Sequence, residues 1–203
     1  MRTDEQKDVN LVSDTEWVAR ARAGDERAFV ALVERYQTPI FYLCLRMLGN
    51  PHEAEEAAQE AFLRAWTQFG RYDPNRSFKT WLFSIASHYC IDLLRKRRMT
   101  WLSVDEDDAE VPQIALQDPE PGPEGQASAG EFRAQLQTLL RRLQPEDRRV
   151  LVLRYWYDFS YDDIAATTGA TVSAVKSRLH RAREALAVML ANAGIGSPSL
   201  MEV

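Results

Sequence analysis

Residues 160–186 read SYDDIAATTGATVSAVKSRLHRAREAL, two short helical segments meeting at Gly169. Ser160 with Asp163 three residues later has the spacing of a capping box, which satisfies unpaired N–H groups at a helix start. Ile164 and Ala165 face inward, and Gly169 supplies the positive φ that a tight inter-helix turn demands. Beyond it, Val172, Val175, Leu179, Ala182 and Leu186 recur at steps of three and four, one buried stripe on a helix. The opposite surface carries Lys176, Arg178, Arg181 and Arg183. This is the pattern of a helix-turn-helix, whose second helix enters a DNA major groove. It also fits a plain helical hairpin with a solvated basic face, so the rest of the chain must decide.

The 203 residues suffice for one large domain or two small ones. A net charge of −5 argues against a nucleic-acid coat protein, but the sign alternates along the chain. Residues 64–98 sum to +6 and residues 131–190 to +3, whereas residues 99–130 hold eight acidic and no basic side chains. Two basic surfaces with an acidic segment between them are therefore expected. Cys44 and Cys90 make no disulfide framework, and His52, His88 and His180 are scattered singly, so neither metal nor cofactor is expected. Cys44 shares a stripe with Phe41, Leu45 and Leu48 and reads as a small core residue. No apolar run is long enough to span a bilayer, and Asp4, Glu5 and Asp8 do not suit a secretory leader. A reduced, cytoplasmic protein without membrane insertion is expected.

Strand signals are nearly absent, so the fold class is all-α: two small helical domains joined by a flexible acidic linker, the second a helix-turn-helix of the winged-helix-like kind. Residues 1–12 are polar and expected to be disordered. The domain 13–98 opens with Ser13 and Glu16 as a capping box. Asp25 caps a second helix that buries Phe29, Leu32, Val33 and Tyr36 until Pro39 kinks or restarts it. Asn50-Pro51-His52-Glu53 starts another. Its inner side uses Ala54, Ala57, Ala58, Ala61, Phe62, Ala65 and Trp66; its outer side carries Glu53, Glu56 and Glu60, a row that residue types alone leave as solvated surface. Residues 70–77, GRYDPNRS, form a polar turn. Ser77 caps a long helix with Phe78, Trp81, Leu82, Ile85, Ala86, Tyr89 and Leu93 on one stripe, ending in Arg95-Lys96-Arg97-Arg98. Residues 99–130 contain DEDDAE and QDPEPGPEG and read as a self-repelling linker. The domain 131–190 buries Phe132, Leu136, Leu139, Leu140 and Leu143, starts a helix at Pro145, and leads into the helix-turn-helix. Residues 191–203 form a tail with no assignable role.

Four separated motifs stand in a fixed order: EAEEAAQEAFLRAW at 53–66, YDPNRSFKTWLFSIASHYCIDLLRKRR at 72–98, LQPEDRRVLVLRYWYDFSYDDIA at 143–165 and VKSRLHRAREAL at 175–186. With them, over residues 25–190, the chain resembles bacterial RNA polymerase sigma factors of the extracytoplasmic-function group. The resemblance implies a subunit without enzymatic activity that binds core RNA polymerase, reads −35 and −10 promoter elements and helps melt the latter. It implies that Glu55, Glu56, Gln59, Glu60 and Phe62 dock on the clamp of the largest polymerase subunit, with the flap region as a further contact. It implies that single-stranded −10 DNA is held by Arg71, Tyr72, Asn75, Arg76, Lys79, Trp81, His88, Arg95 and Arg98. Arg71, Tyr72, Asn75 and Arg76 suit capture of an unstacked base, and Lys79 with the 95–98 run suits phosphates. Trp81 lies on the core stripe and fits packing as well as base contact. His88 stands where the family usually has Asn, which alters the expected −10 preference.

For duplex −35 DNA the resemblance implies Ser173, Lys176, Ser177, Arg178, His180, Arg181 and Arg183. Ser173, Lys176 and Ser177 near the helix start are assigned to bases, and Arg178, Arg181 and Arg183 mainly to phosphates, which position without specifying. Ser173-Ala174 replaces a frequent Gly-Thr of the family. An inhibitory anti-sigma protein is the further partner implied, and the linker is expected to thread the polymerase cleft. The rival readings are a stand-alone helix-turn-helix regulator of duplex DNA, a nucleic-acid hydrolase and a helical adaptor. The first leaves the 72–98 motif unexplained, and the second lacks a convergent catalytic set.

Overall fold

The computed structural model describes residues 13–101 and 126–193. Eight helices form among them: α1 Asp14–Arg22, α2 Glu26–Leu48, α3 Pro51–Gln68, α4 Phe78–Trp101, α5 Gln126–Arg142, α6 Pro145–Tyr157, α7 Tyr161–Thr168 and α8 Val172–Asn192. A single 3₁₀ turn, Phe69–Arg71, lies between α3 and α4. The expected disordered N-terminus and most of the tail lie outside the described residues.

Local chemistry sets the boundaries. The Ser13 hydroxyl accepts from Glu16 N at the start of α1, and the Asp25 carboxylate accepts from Arg27 N and Ala28 N at the start of α2. Asn50 accepts from Glu53 N ahead of Pro51, whose missing N–H costs nothing at a first helical position. Gly49 closes α2 in the left-handed region, φ 78°. α4 runs three residues past the basic end to Trp101, and α5 begins at Gln126 rather than Glu131. Helix therefore takes residues 99–101 and 126–130 from the two ends of the expected linker, where Ala127, Ser128 and Ala129 follow the last Gly-Pro pair and are compatible with helix, and the rest of that stretch lies outside the described residues. Likewise α8 takes Ala191 and Asn192 from the expected tail.

Pro39 does not restart its helix, because α2 is continuous across it. Tyr36, Ile40, Leu43 and Cys44 are all buried around it. Burial of four side chains, about 1.5–3 kcal/mol for each large apolar one, outweighs the roughly 3 kcal/mol that an internal proline costs.

In the first half, α2 packs against α1, α3 and α4. The inner face of α3 is Ala54, Ala57, Ala58, Ala61 and Ala65, all buried, so α2 and α3 approach with little side-chain volume between them. Arg35 and Tyr36 both reach Asp14, which ties α1 to α2. Burial, and then the Asp14 carboxylate, raise the Tyr36 hydroxyl above its usual range. Cys44 and Cys90 sit fully buried and side by side between α2 and α4; their mutual contact and burial push the Cys44 thiol well up.

In the second half, α6, α7 and α8 form a compact trio with α5 against them. The two halves are not apart. α7 lies along α4, α5 and α6 meet α2, and the buried apolar residues of both halves join in one continuous cluster.

Candidate nucleic-acid and polymerase surfaces

The helix-turn-helix forms as its sequence dictates. Ser160 Oγ accepts from Asp163 N at 3.0 Å, and the Asp163 carboxylate accepts from Ser160 N at 3.2 Å, a complete capping box. Gly169 takes φ 68° between the helices, and Thr171 Oγ1 caps α8 by accepting from Ala174 N at 3.2 Å. Val175, Leu179, Ala182, Leu186 and Leu190 are buried, which turns the opposite face of α8 outward. Ser173, Lys176, Ser177, His180 and Arg181 are exposed there, while Arg178 and Arg183 are half-buried. Several are already engaged. Arg181 forks onto Asp147 at 3.1 and 3.4 Å, His180 lies 3.4 Å from Glu184, and the Lys176 ammonium stands 5.6 Å above the Tyr161 ring. Arg149 is buried beneath this face, with Nε and Nη1 lacking hydrogen-bond partners among the described residues. Burial, and then the neighbouring Arg178, push its pKa down to about 10.

The 72–77 turn rests on an aromatic floor. Phe69, Tyr72, Phe78 and Trp81 stand with ring centroids 4.9–6.0 Å apart, mostly tilted or edge-on as their quadrupoles favour. Tyr72 corrects its sequence expectation: it is buried, and its hydroxyl donates to Arg76 O. The ring is flooring for the turn rather than a surface group. Trp81 is half-buried in the same cluster. Asp73 Oδ1 accepts from both the backbone and the side-chain amide of Asn75, each at 3.0 Å, so the turn is stitched from below and within. Arg71, Asn75 and Arg76 are left exposed. His88 is exposed on α4 with Nδ1 2.8 Å from Ser84 O. Arg98 is exposed at the basic end. Lys79 and Arg95 turn elsewhere: Lys79 Nζ donates to Tyr157 O at 3.0 Å, and Arg95 pairs with Glu146 at 3.2 Å, both in the second half.

On α3, Glu55, Glu56 and Gln59 are exposed; Glu60 pairs with Arg64 at 2.7 Å, and Phe62 is half-buried. Glu53 pairs with Arg97 and so closes α3 against α4. Two residues here escape a reading of the sequence. Leu63 is 58% exposed, and Trp66, expected on the inner face, is 39% exposed although its ring meets Phe29 at 4.8 Å. Residues 56, 59, 63 and 66 follow the i, i+3, i+4 rule for one helix face, which is the signal that could have found them. The acidic row thus continues into an exposed apolar stripe.

Profiles of two families match the chain, Sigma-70 region 2 over residues 32–100 and Sigma-70 region 4 over residues 133–186. The chain is 37% identical to the ECF RNA polymerase sigma factor SigW of Bacillus subtilis, over 83% of this chain and 92% of that one. The chain belongs to the extracytoplasmic-function sigma factors. This sigma factor is also 37% identical to the RNA polymerase sigma-H factor of Pseudomonas aeruginosa, over 85% of this chain and 91% of the relative. Among solved structures it is similar to CnrH in complex with the cytosolic domain of CnrY, with TM-score 0.64 and 28% identity over 88% of this chain and 97% of that one. Sigma factors recognise promoters, so the stand-alone regulator is not favoured: region 2 occupies the 72–98 motif it left unexplained. Among the described residues no group of side chains has the make-up of a metal site, and no helix is long and apolar enough to cross a membrane.

Proposed function

We propose a division of labour between the two halves of this sigma factor. Residues 13–101 hold core polymerase through α3 and single-stranded −10 DNA through the 72–77 turn and α4; residues 126–193 hold duplex −35 DNA through α8. The observation that carries the reading is the turn: Arg71, Asn75 and Arg76 are exposed over a rigid aromatic floor. Such a floor lets the turn offer edge hydrogen bonds and cation–π contact to an unstacked base with little reordering, which offsets a few kcal/mol of lost stacking. Capture of the unpaired strand favours the melted promoter over the duplex, and no covalent chemistry is required. Tyr72 acts by positioning the turn, and Trp81 offers its exposed edge.

On α3 the docking surface is Glu55, Glu56 and Gln59 together with Leu63 and Trp66; Phe62 braces it from below. Charge there orients the encounter with the clamp and the apolar stripe supplies the hold. On α8, Ser173, Lys176 and Ser177 read base edges while Arg178, Arg181 and Arg183 grip phosphate. The work takes place in the cytoplasm, beside polymerase and DNA. An anti-sigma protein is a further partner, supported by the likeness to CnrH, solved with the cytosolic domain of a second protein.

Transcription from a defined promoter with purified core polymerase tests the reading. Arg76→Ala and Asn75→Ala should lower open-complex yield while leaving duplex −35 affinity intact. Leu63→Ala with Glu56→Lys should weaken holoenzyme assembly. Arg178→Ala should weaken binding across all −35 sequences and reduce the salt slope by about one. Collapse of −35 discrimination with an unchanged salt slope would make Arg178 a base reader and sink that assignment.

A further inference from the structure

A cavity of about 490 Å³ opens where the middle of α2 faces the start of α4 and the end of α6. Tyr36, Tyr42, Phe83, Trp156 and Tyr157 wall it with aromatic rings, and Arg46, Lys79 and Asp158 bring its charges. Local sequence sets these groups in place. Phe83 follows Lys79 by one helical turn on α4, so ammonium and ring share a face. Trp156 and Tyr157 close α6, and Asp158 takes the left-handed region, φ 53°, which ends the helix at the cavity mouth. Tyr42 and Trp156 are only half-buried, which leaves ring surface open to an occupant. Such a volume, walled mostly by rings and holding a few placed polar groups, has the make-up of a small-molecule site.

The polar groups of the walls define what it would hold. The carbonyls there are already met: Pro39 O accepts from Tyr157 Oη at 2.8 Å, Tyr42 O from Arg46 Nη1 at 3.4 Å and Tyr157 O from Lys79 Nζ at 3.0 Å. Donors are left over instead. An ammonium offers more donors than the one bond Lys79 makes, and no carboxylate pairs with it among the described residues. Aromatic walls can also favour a cation, but the ring faces are already served. Lys79 Nζ stands 4.8 Å from the Phe159 ring centroid and 6.0 Å from that of Phe83; the Arg46 guanidinium stands 5.2 Å from Trp156 and 5.5 Å from Tyr42. A cationic occupant would meet like charge. Asp158 is the single acid of the lining, and it lies exposed at the rim, where solvent and salt screen it. Arg46 is 6% exposed and its charge is screened far less. The interior therefore favours an anion that accepts hydrogen bonds.

We propose that this cavity is a binding site for a small planar aromatic anion: the ring packs against the walls at Tyr42 and Trp156, and the acidic group accepts from Lys79. Arg71, Asn75 and Arg76 do not line it, so the test needs neither DNA nor polymerase. The full chain is titrated by calorimetry with β-naphthoate, and with β-naphthylmethanol and β-naphthylmethylamine as its neutral and cationic counterparts. The acid should bind saturably at one site, at least about ten-fold tighter than the alcohol, as loss of a charge-assisted hydrogen bond requires. The amine should bind most weakly. Lys79→Met should weaken the acid about ten-fold and leave the alcohol unchanged, which also shows that the cavity keeps its shape. Nuclear magnetic resonance of the indole N–H groups locates the site: the signal that moves with added acid should be the one missing in Trp156→Phe. Absence of saturable binding by the acid overturns the site. Equal affinity for acid and alcohol overturns the acidic group, and tightest binding by the amine hands recognition to Asp158 and overturns the charge argument. Unchanged affinity in Lys79→Met, or movement of a different indole signal alone, overturns the assigned position. The charge series on the unmodified chain decides the ligand class even where a variant fails to fold.

Discussion

Replacing Arg148 by Met sets two large effects against each other. Arg148 is 4% exposed and has no carboxylate partner among the described residues; it donates to Arg141 O at 2.6 Å, to Leu143 O at 3.3 Å and to Met47 O. Burial pushes its pKa from 12.5 to about 10, corresponding to roughly 3 kcal/mol against the charged form. Hydrogen bonds from a charged donor contribute about 1.5–3 kcal/mol each. Two close bonds and one long one therefore give roughly 4–7 kcal/mol, and the guanidinium wins by about 1–4 kcal/mol. Met fills the volume but leaves three carbonyls at the ends of α2 and α5 without that donor. The expected loss is about 2–4 kcal/mol, or roughly 4–15 °C in Tm for a chain of this size. Urea unfolding followed by circular dichroism, with a parallel thermal scan, measures it. Arg148→Lys should recover only part, since one ammonium cannot match the guanidinium fork. A Met variant as stable as wild type, or more so, would refute the reasoning and show that desolvation outweighs the hydrogen bonds.

Three other outcomes are expected. Ser160→Ala removes the capping box of α7 and should cost about 1 kcal/mol in thermal or urea unfolding, with Ser160→Asp close to neutral. Cys44 and Cys90, buried and with the Cys44 thiol raised, should resist a thiol reagent in native buffer and react promptly in about 8 M urea; rapid native labelling of both would contradict their burial. Tyr36 is raised in the folded state, so its contribution is intact below its unfolded pKa of about 10 and is lost as pH rises beyond that. Unfolding at about pH 9 and about pH 11 should show a steeper stability loss for wild type than for Tyr36→Phe.

Residues 160–186 are legible in the sequence because every local rule agrees there: cap, turn glycine, stripe and basic face all require the same structure. The capping residues Ser13, Asp25 and Asn50 and the alanine face of α3 are legible for the same reason. Tyr72 is not. A tyrosine in a polar turn reads as exposed, and only the packing of Phe69, Phe78 and Trp81 around it shows otherwise. Trp66 misleads in the opposite sense, since a ring can cover Phe29 and still present a face to solvent. The contacts between the two halves are invisible in the sequence because their acceptors are backbone carbonyls, which every residue carries; Gln137 and Arg148 bear no mark of them, and Tyr157 reads only as an inward-packing residue of its own helix. At Pro39 the sequence displays only the local cost, and long-range burial overrides it.

The division between the 72–77 turn and its aromatic floor has an evolutionary consequence. Arg71, Asn75 and Arg76 project from a loop whose shape is set by Phe69, Tyr72, Phe78 and Trp81, so exchanging the projecting residues disturbs little of what keeps the domain folded. Surface substitutions of this kind usually stay within about 0.5 kcal/mol. On α8, Ser173, Lys176 and Ser177 are mounted in the same way over Val175 and Leu179. Under the promoter contacts proposed above, target preference can drift by single neutral steps while the scaffold stands still, so a new specificity need never pass through an unfolded ancestor.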